Sequence, residues 1–156
     1  MSDEPETVGR PFDPWSLPGR KGTGYPAEFA VQIRDREKRA LGDAAGLMRF
    51  GVNLTRLPPG EISAQRHWHS QQDEFVCLLS GELVLETDQG EAVMRAGQCI
   101  GFPAGRANGH RFVNRSGADA VYLEVGDRAP DDAVTYPDID LAAHSADGRR
   151  YAFRKK

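Results

Sequence analysis

The chain has 156 residues, a length that fits one domain with its own hydrophobic core. Its formal net charge of -3 gives no general attraction to nucleic acid or to an anionic membrane surface. No apolar run is long enough for a signal peptide or a membrane span, and the two cysteines, Cys77 and Cys99, lack CxxC spacing. We therefore expect a cytoplasmic protein with reduced thiols and with neither nucleic acid nor membrane as a partner.

The N-terminal segment shows little regular pattern. Residues 1–25 carry four prolines and several glycines and acids, a composition that predicts an irregular arm. Alternation of apolar and polar residues over 29–33 predicts a first short strand. The charged run at 34–39 is typical of a solvated turn or sheet edge and does not indicate a binding patch.

A period of two is clear between residues 50 and 125. Short strands separated by turn residues, with no helical period between them, predict an antiparallel sandwich or barrel. The run at 75–79 is apolar on both faces, so we expect cover from the barrel interior on one side and from an outer layer or a subunit on the other. The predicted strands are 50–55, 75–79, 82–87, 92–95, 99–102, 109–113 and 120–125, with a further edge strand at 150–154.

Three of the four histidines belong to one candidate metal site. His67 and His69 are two residues apart, so an extended backbone places both imidazoles on one face. Glu74 lies at an odd offset from His69, which requires residues 70–73 to bulge or loop. His110 joins them only if the sheet curls back on itself. Three imidazoles and a carboxylate suit a divalent transition ion and leave one or two positions for water or substrate, whereas an isolated HxH pair would indicate surface histidines.

These residues carry a resemblance to the cupin superfamily, which covers about half of the chain, from residue 50 to residue 125. Two spacings depart from the common pattern. Six residues separate Gly60 from His67 where five are common, and four separate Gly105 from His110 where two are usual. The first motif is matched by Gly60, His67-Trp68-His69, Glu74 and Gly81, and the second by Gly97, Pro103, Gly105, His110 and Asn114.

The resemblance implies an all-β fold, the double-stranded β-helix or jelly-roll barrel of about six to eight strands. Residues 1–25 would form the irregular N-terminal arm and residues 26–128 a single cupin domain that includes the N-terminal strands. Residues 129–156 would be a C-terminal extension with an edge strand at a dimer interface. The metal would lie inside one mouth of the barrel, with His110 supplied from a strand across it, and the protein would be a homodimer.

Two functions of different kinds fit this resemblance. The first is a small-molecule metalloenzyme, an isomerase or a dioxygenase acting on a sugar or carboxylate compound. The second is a noncatalytic cupin that binds a metal or a metabolite. No general base is evident outside the ligands, and a non-ligand carboxylate or tyrosine lining the pocket would favour the enzyme. Imidazole and carboxylate ligands accept iron, manganese, zinc, nickel or copper, so the ligand set does not select the ion.

Residues around the ligands are weaker candidates. Gln72 lies between ligands and could orient one of them or a bound water, while Arg106 and Asn108 precede His110 and could meet an anionic or hydroxylated substrate at the barrel mouth. Asp73 is an alternative carboxylate to Glu74. A phosphate substrate would need basic residues, and near the motifs the sequence offers three scattered arginines. They are Arg66, Arg106 and Arg111.

Overall fold

The computed structural model describes residues 5–156 and consists mainly of short antiparallel strands. None of the helices within these residues is long and apolar enough to span a membrane. The helical elements are α1 (Leu41–Ala44) and two 3-10 turns, Pro14–Ser16 and Ala27–Phe29. The strands are β1 (Arg20–Lys21), β2 (Glu37–Ala40), β3 (Phe50–Leu57), β4 (Trp68–His69), β5 (Glu74–Ser80), β6 (Glu82–Thr87), β7 (Gly90–Arg95), β8 (Cys99–Phe102), β9 (Arg111–Val113), β10 (Ala120–Asp127), β11 (Asp132–Thr135), β12 (Ala142–Ser145) and β13 (Ala152–Arg154).

The strands form three antiparallel sheets whose order departs from chain order, as in a jelly roll. The largest sheet runs β1-β2-β3-β10-β5-β8, the second β13-β12-β11-β4, and the third β7-β6-β9. Isolated bridges from Ile62 to Val113 and from His67 to His110 join the segment before β4 to β9. The all-β barrel expected from the sequence is confirmed.

The main hydrophobic core fills the barrel interior, because alternate residues of each strand point inward. On β5 the inward residues are Val76 and Leu78, which are buried beside Tyr122 of β10 and Phe112 of β9. Burying a large apolar side chain stabilises the fold by about 1.5–3 kcal/mol. The buried cluster consists of Leu57, Val76, Leu78, Leu83, Leu85, Met94, Phe112, Ala120 and Tyr122.

A second apolar cluster lies where the C-terminal strands meet the N-terminal segment. Tyr136 and Leu141 are buried within it, and Tyr25 and Phe153 pack against it. Because β11 pairs with β4, this C-terminal sheet carries one of the predicted metal ligands on its last strand. The sequence predicted a single edge strand here; β13 is that edge, and β11 and β12 lie between it and β4.

Two predictions for the segment before β3 are wrong. Residues 29–33 do not form a strand, since the chain makes a 3-10 turn at Ala27–Phe29 and continues through further turns. The charged run at 34–39 is not fully solvated, because β2 pairs with β3 and both Arg36 and Glu37 are buried. Glu37 tolerates this burial by forming ion pairs with Arg39 and Arg56.

Within residues 5–156, only the inward side of strand β5 is covered by other parts of the chain. Its inward residues are buried, whereas Phe75 and Leu79 on the outward side are 45% and 47% exposed. Cys77 and Cys99 face each other across β5 and β8 on the same outward side, and both are free thiols. The predicted outer cover is therefore not supplied by the described part of the chain itself.

Candidate metal centre

A two-residue bridge between distant parts of the chain brings the imidazoles together. The His67 amide donates to the His110 carbonyl at 3.2 Å and the His110 amide donates back at 2.9 Å. The ring centroid of His67 lies 4.8 Å from that of His110 and 5.2 Å from that of His69. His110 thus lies directly beside His67, and not across the barrel as expected, because residues 106–109 loop back before β9.

Glu74 completes the group from the first position of β5. Residues 70–73 leave the extended conformation, as the odd offset predicted, and the carboxylate turns inward. Its Oε1 lies 3.7 Å from Nε2 of His67 and 3.4 Å from Nε2 of His69, while its Oε2 lies 2.7 Å from Nε2 of His110. The donor atoms of His67, His69 and Glu74 all lie within 4.8 Å of one another, a spacing that could hold one metal ion.

The second ring nitrogen of each histidine has its own acceptor. Nδ1 of His67 lies 2.8 Å from the Gln65 carbonyl, and Nδ1 of His110 lies 3.4 Å from the Asn108 carbonyl. A carbonyl oxygen can only accept, so with a cation bound at Nε2 each of these imidazoles would carry its proton on Nδ1 and donate it to the carbonyl. The ring of Phe102 stacks on His110 with centroids 3.6 Å apart, which fixes the orientation of that imidazole.

A buried carboxylate, Asp132, orients His69. Its Oδ2 lies 2.6 Å from Nδ1 of His69 and accepts a hydrogen bond from the Tyr151 hydroxyl at 2.8 Å. Its Oδ1 accepts from the Gln71 amide at 2.8 Å. Burial alone would raise the pKa of Asp132, but these partners outweigh it and lower the pKa to about 2. A carboxylate behind a histidine is the arrangement that fixes a metal-binding imidazole and increases its basicity.

The charges of the group are tightly linked. Burial opposes protonation of His69, but the carboxylates of Asp132 and Glu74 prevail and raise its pKa to about 10. Burial would raise the pKa of Glu74, yet the three surrounding imidazoles hold it well below the ordinary value. Burial lowers the pKa of His110, which keeps that imidazole neutral and its Nε2 available as a ligand.

The donor set fits a divalent cation. Glu74 Oε2 is buried and has no aligned hydrogen-bond donor, although His110 Nε2 lies close to it. Nε2 of each imidazole lies close to this carboxylate, so a cation bound between them would be held by nitrogen and oxygen donors together. Nitrogen and oxygen donors in this mixture suit first-row transition ions.

The ligands border two cavities. A cavity of about 1230 Å³ is lined by all four predicted ligands together with Tyr25, Tyr136 and Tyr151. A smaller one of about 290 Å³ is lined by His69, Glu74 and His110 together with Arg106 and Asn108. Small molecules of the size of a sugar or a dicarboxylate fit in either space.

The other sequence candidates lie near the ligands in different ways. Gln72 is buried, and its amide donates to the carbonyls of Ala129 and Gly148 at 3.1 Å and 2.8 Å, which ties the ligand loop to the C-terminal segment. Asn108 accepts from the Asp88 amide at 2.9 Å and so braces the loop before His110. Arg106 is exposed at the rim of the smaller cavity.

Two alternatives are separated clearly from the group. Asp73 is exposed and accepts a hydrogen bond from the Ala104 amide at 2.7 Å, so Glu74 is the carboxylate that faces the imidazoles. His144 is exposed on β12 and takes no part, as the sequence suggested. Sequence reasoning missed Asp132 and the cavity tyrosines, because no local pattern marks a residue that reaches the site through pairing of β11 with β4.

Comparison with known proteins identifies the family. A family model described as the cupin domain matches residues 53–126. A sugar phosphate isomerase of the cupin superfamily from Silicibacter pomeroyi DSS-3 is 46% identical to this chain, with a TM-score of 0.88 and an alignment covering 94% of this chain and 92% of that protein. The chain belongs to the cupin superfamily.

Two further solved structures are similar to this chain. A proposed sugar phosphate isomerase from Acidithiobacillus ferrooxidans ATCC 23270 is 30% identical, with a TM-score of 0.71 and coverage of 78% of this chain and 76% of that protein. The polyketide cyclase RemF from Streptomyces resistomycificus shares the fold at 21% identity, with a TM-score of 0.63 and coverage of 76% and 78%. No curated protein matches the chain.

Proposed function

We propose that this cupin is a metal-dependent isomerase acting on a small sugar or carboxylate compound. The observation that carries the proposal is the convergence of three imidazole Nε2 atoms on the Glu74 carboxylate inside a cavity lined with tyrosines. The similarity to the sugar phosphate isomerase from S. pomeroyi supports this reaction class over an oxygenase.

The proposed metal ligands are His67, His69, Glu74 and His110. A divalent ion held by them would polarise a carbonyl or hydroxyl oxygen of the substrate. Iron, manganese, zinc and nickel all accept this donor set, so the native ion is to be measured and not assumed. Asp132 would hold His69 in the tautomer that presents Nε2 to the ion.

Tyr136 is the proposed proton donor. Its ring lies 5.9 Å from the His67 ring and it lines the larger cavity. Burial and the neighbouring Tyr25 raise the pKa of Tyr136, so its phenol keeps its proton at neutral pH and can donate it to a substrate oxygen. Exchange of a carbonyl between neighbouring carbons requires such a transfer. Tyr151 is less suited, because its hydroxyl donates to the Asp132 carboxylate, a stronger acceptor than the Tyr25 hydroxyl to which Tyr136 donates.

Gln72, Arg106 and Asn108 are proposed to shape the substrate site. Gln72 would act indirectly by holding the ligand loop, since its amide nitrogen is already engaged by two carbonyls. Arg106 would attract an entering anionic substrate at the rim of the smaller cavity. An Arg106→Gln variant should raise KM for an anionic substrate with little change in kcat, whereas equal effects on both constants would contradict a role in binding alone.

The test of the metal site is elemental analysis of protein purified under low oxygen without a metal-chelating step. We expect close to one equivalent of a transition ion, lost in His69→Ala while the β-sheet circular dichroism is retained. His144→Ala is the matched control, because it removes an exposed histidine outside the site and should keep its metal. Undiminished metal in His69→Ala would contradict the proposed ligand set.

The test of the reaction is a screen of aldoses, ketoses and their phosphates with the metal-loaded protein. Tyr136→Phe should reduce kcat by about a hundredfold or more while retaining the metal, because it removes a general acid. If the bound ion is iron and turnover requires dioxygen, the oxygenase alternative replaces the isomerase. Metal binding without turnover of any of these substrates would favour the noncatalytic binder.

We further propose a homodimer in a reducing, cytoplasmic setting. The exposed apolar side chains Phe75 and Leu79 on the outer side of β5 would be covered by the second subunit, and the free Cys77 and Cys99 are consistent with a reducing compartment. Size-exclusion chromatography with light scattering should give twice the chain mass of 17.2 kDa. A monomer at micromolar concentration would contradict the dimer.

A further inference from the structure

The wall of the larger cavity contains a buried arginine that the metal site does not use. Arg36 is 6% exposed and lines the same cavity as the four proposed ligands. Its two terminal nitrogens donate to carbonyls, Nη1 to Ser63 and Nη2 to Gly22 at 2.8 Å. Its Nε is also buried and has no hydrogen-bond partner within residues 5–156.

The absence of a counter-charge distinguishes Arg36 from Arg66 and Arg111, two of the arginines near the motifs. Arg66 forms a two-pronged ion pair with Asp138, both contacts at 2.7 Å, and Arg111 pairs with Glu86 at 2.5 Å. Among the residues described, no carboxylate lies within ion-pair distance of Arg36. A buried guanidinium without a carboxylate is costly, since carbonyl dipoles replace only part of its hydration.

Two tyrosine hydroxyls lie near Arg36. The charge of Arg36 opposes the burial that raises the pKa of Tyr25 and Tyr122, so both phenols lie within its electrostatic reach. The Tyr122 hydroxyl is buried without a hydrogen-bond partner in the described residues. Glu124, which also lines the cavity, is already engaged by Lys38 at 2.5 Å.

Arg36 is also joined to the metal centre by a short structural path. Its Nη1 donates to the carbonyl of Ser63, which lies in the segment that leads directly into His67. Tyr25 packs edge-on against Tyr136 with ring centroids 5.8 Å apart, and Tyr136 packs against His67. The guanidinium is therefore held in the cavity wall by its hydrogen bonds to the carbonyls of Ser63 and Gly22.

We propose that Arg36 is the anion-binding group of this cavity and that the substrate carries a carboxylate or phosphate. This rests on the proposed function and narrows its substrate to an anion bound at two points, its anionic group at Arg36 and a reacting oxygen at the metal. Guanidinium groups bind such oxyanions through charge-assisted hydrogen bonds. No sequence signal indicated Arg36 as a binding residue, because it lies in a charged run far from either metal-binding motif.

The experiment follows the Nε–H signal of Arg36 in ¹⁵N-labelled protein by NMR while inorganic phosphate or acetate is added. Arg36→Lys, which retains the charge but removes this signal, assigns it. The titration uses metal-free protein and is repeated with zinc, so a protein that takes up no metal still tests Arg36. We expect a saturable shift of the Arg36 signal in both forms. Tighter binding of phosphate would indicate a phosphorylated substrate, and tighter binding of acetate a carboxylate.

Affinity measurements on variants complete the test. Arg36→Gln should weaken binding of the tighter anion by roughly tenfold to a hundredfold, as expected for loss of a hydrogen bond to a charged group. Arg34→Gln is the matched control, because it makes the same charge change at an exposed position two residues away. An unshifted Arg36 signal with both anions would overturn the proposal, as would equal affinity in wild type and a folded Arg36→Gln variant. If Arg36→Gln does not fold, the wild-type NMR titration decides alone.

Discussion

The two ends of the barrel are built from the same strands but have opposite chemistry. On β5 the inward residues run from Glu74 at the metal end to Val76 and Leu78 in the apolar core. On the segment leading into β9, His110 is followed two positions later by the buried Phe112. Because the inward face continues along each strand, Glu74 and His110 lie on or next to strands whose next inward residues are fixed in the core.

The apolar end of the barrel stabilises the fold, whereas the ionic end is the candidate metal site. The apolar end removes large side chains from water and so stabilises the fold. The ionic end buries a carboxylate and imidazoles, and this desolvation offsets much of what their mutual attraction contributes. Substitutions at the apolar end should therefore affect unfolding most, whereas substitutions at the ionic end should affect metal affinity most.

The largest stability effect is expected from Leu78→Ala, in the fully buried centre of the core. Loss of the side chain and the resulting cavity should lower the free energy of unfolding by about 2–5 kcal/mol, measured by urea denaturation. The folded fraction should keep its metal. Val93→Ala is the control at an exposed position on β7 and should have a much smaller effect. An equally large loss in Val93→Ala would contradict the assignment of the stabilising core to the barrel interior.

A large effect on metal affinity with a small effect on stability is expected from Asp132→Asn. The amide no longer supplies the charge that fixes His69, so the affinity for zinc should fall by roughly tenfold to a hundredfold, measured by competition with a chelator. Asp138→Asn is a suitable control, because Asp138 pairs with Arg66 on the surface. Unchanged zinc affinity in Asp132→Asn would show that the ionic end does not depend on this carboxylate.

A smaller effect is expected from Tyr151→Phe, which removes one hydrogen bond to Asp132 and leaves the ring in place. A hydrogen bond of this kind contributes about 0.5–1.5 kcal/mol, so zinc affinity should fall by about twofold to tenfold. In the Asp132→Asn background the same substitution should have less effect, since the two residues act together. Full additivity in the double variant would contradict that coupling.

The smallest effect is expected from Arg115→Gln, outside both ends of the barrel. Arg115 lies on the surface and pairs with Glu86 and Glu91 at 3.0 Å and 2.6 Å. Exposed ion pairs contribute little to stability, so neither the unfolding midpoint nor the zinc affinity should change measurably. A clear loss of stability or of zinc affinity would show that surface ion pairs also contribute, in addition to the apolar core and the metal site.

The sequence predicted those parts of the molecule whose signals are local. The alternation within 50–125 gave the strands, and the short spacing of His67, His69 and Glu74 indicated one shared site. His110 was predicted through its motif, although its position beside His67 followed only from the bridge. The strand expected at 29–33 failed because turn formation there overrides a short alternating pattern.

Asp132 and Arg36 could not be predicted, for a common physical reason. Each lies in a polar stretch that is typical of a solvated loop, and each is buried by pairing with a segment distant in sequence. Burial of a charged residue depends on the partners that surround it, and those partners are set by the complete fold. Both residues became visible only once the tertiary contacts were known.

The bridge between His67 and His110 also sets an order of events during folding. A nascent chain that has emerged as far as Glu74 carries three of the proposed ligands, but the fourth arrives with β9 and the carboxylate behind His69 arrives with β11. Contacts between distant segments form late. Metal uptake should therefore follow barrel closure. The ion would bind only to the completed fold and would not start folding.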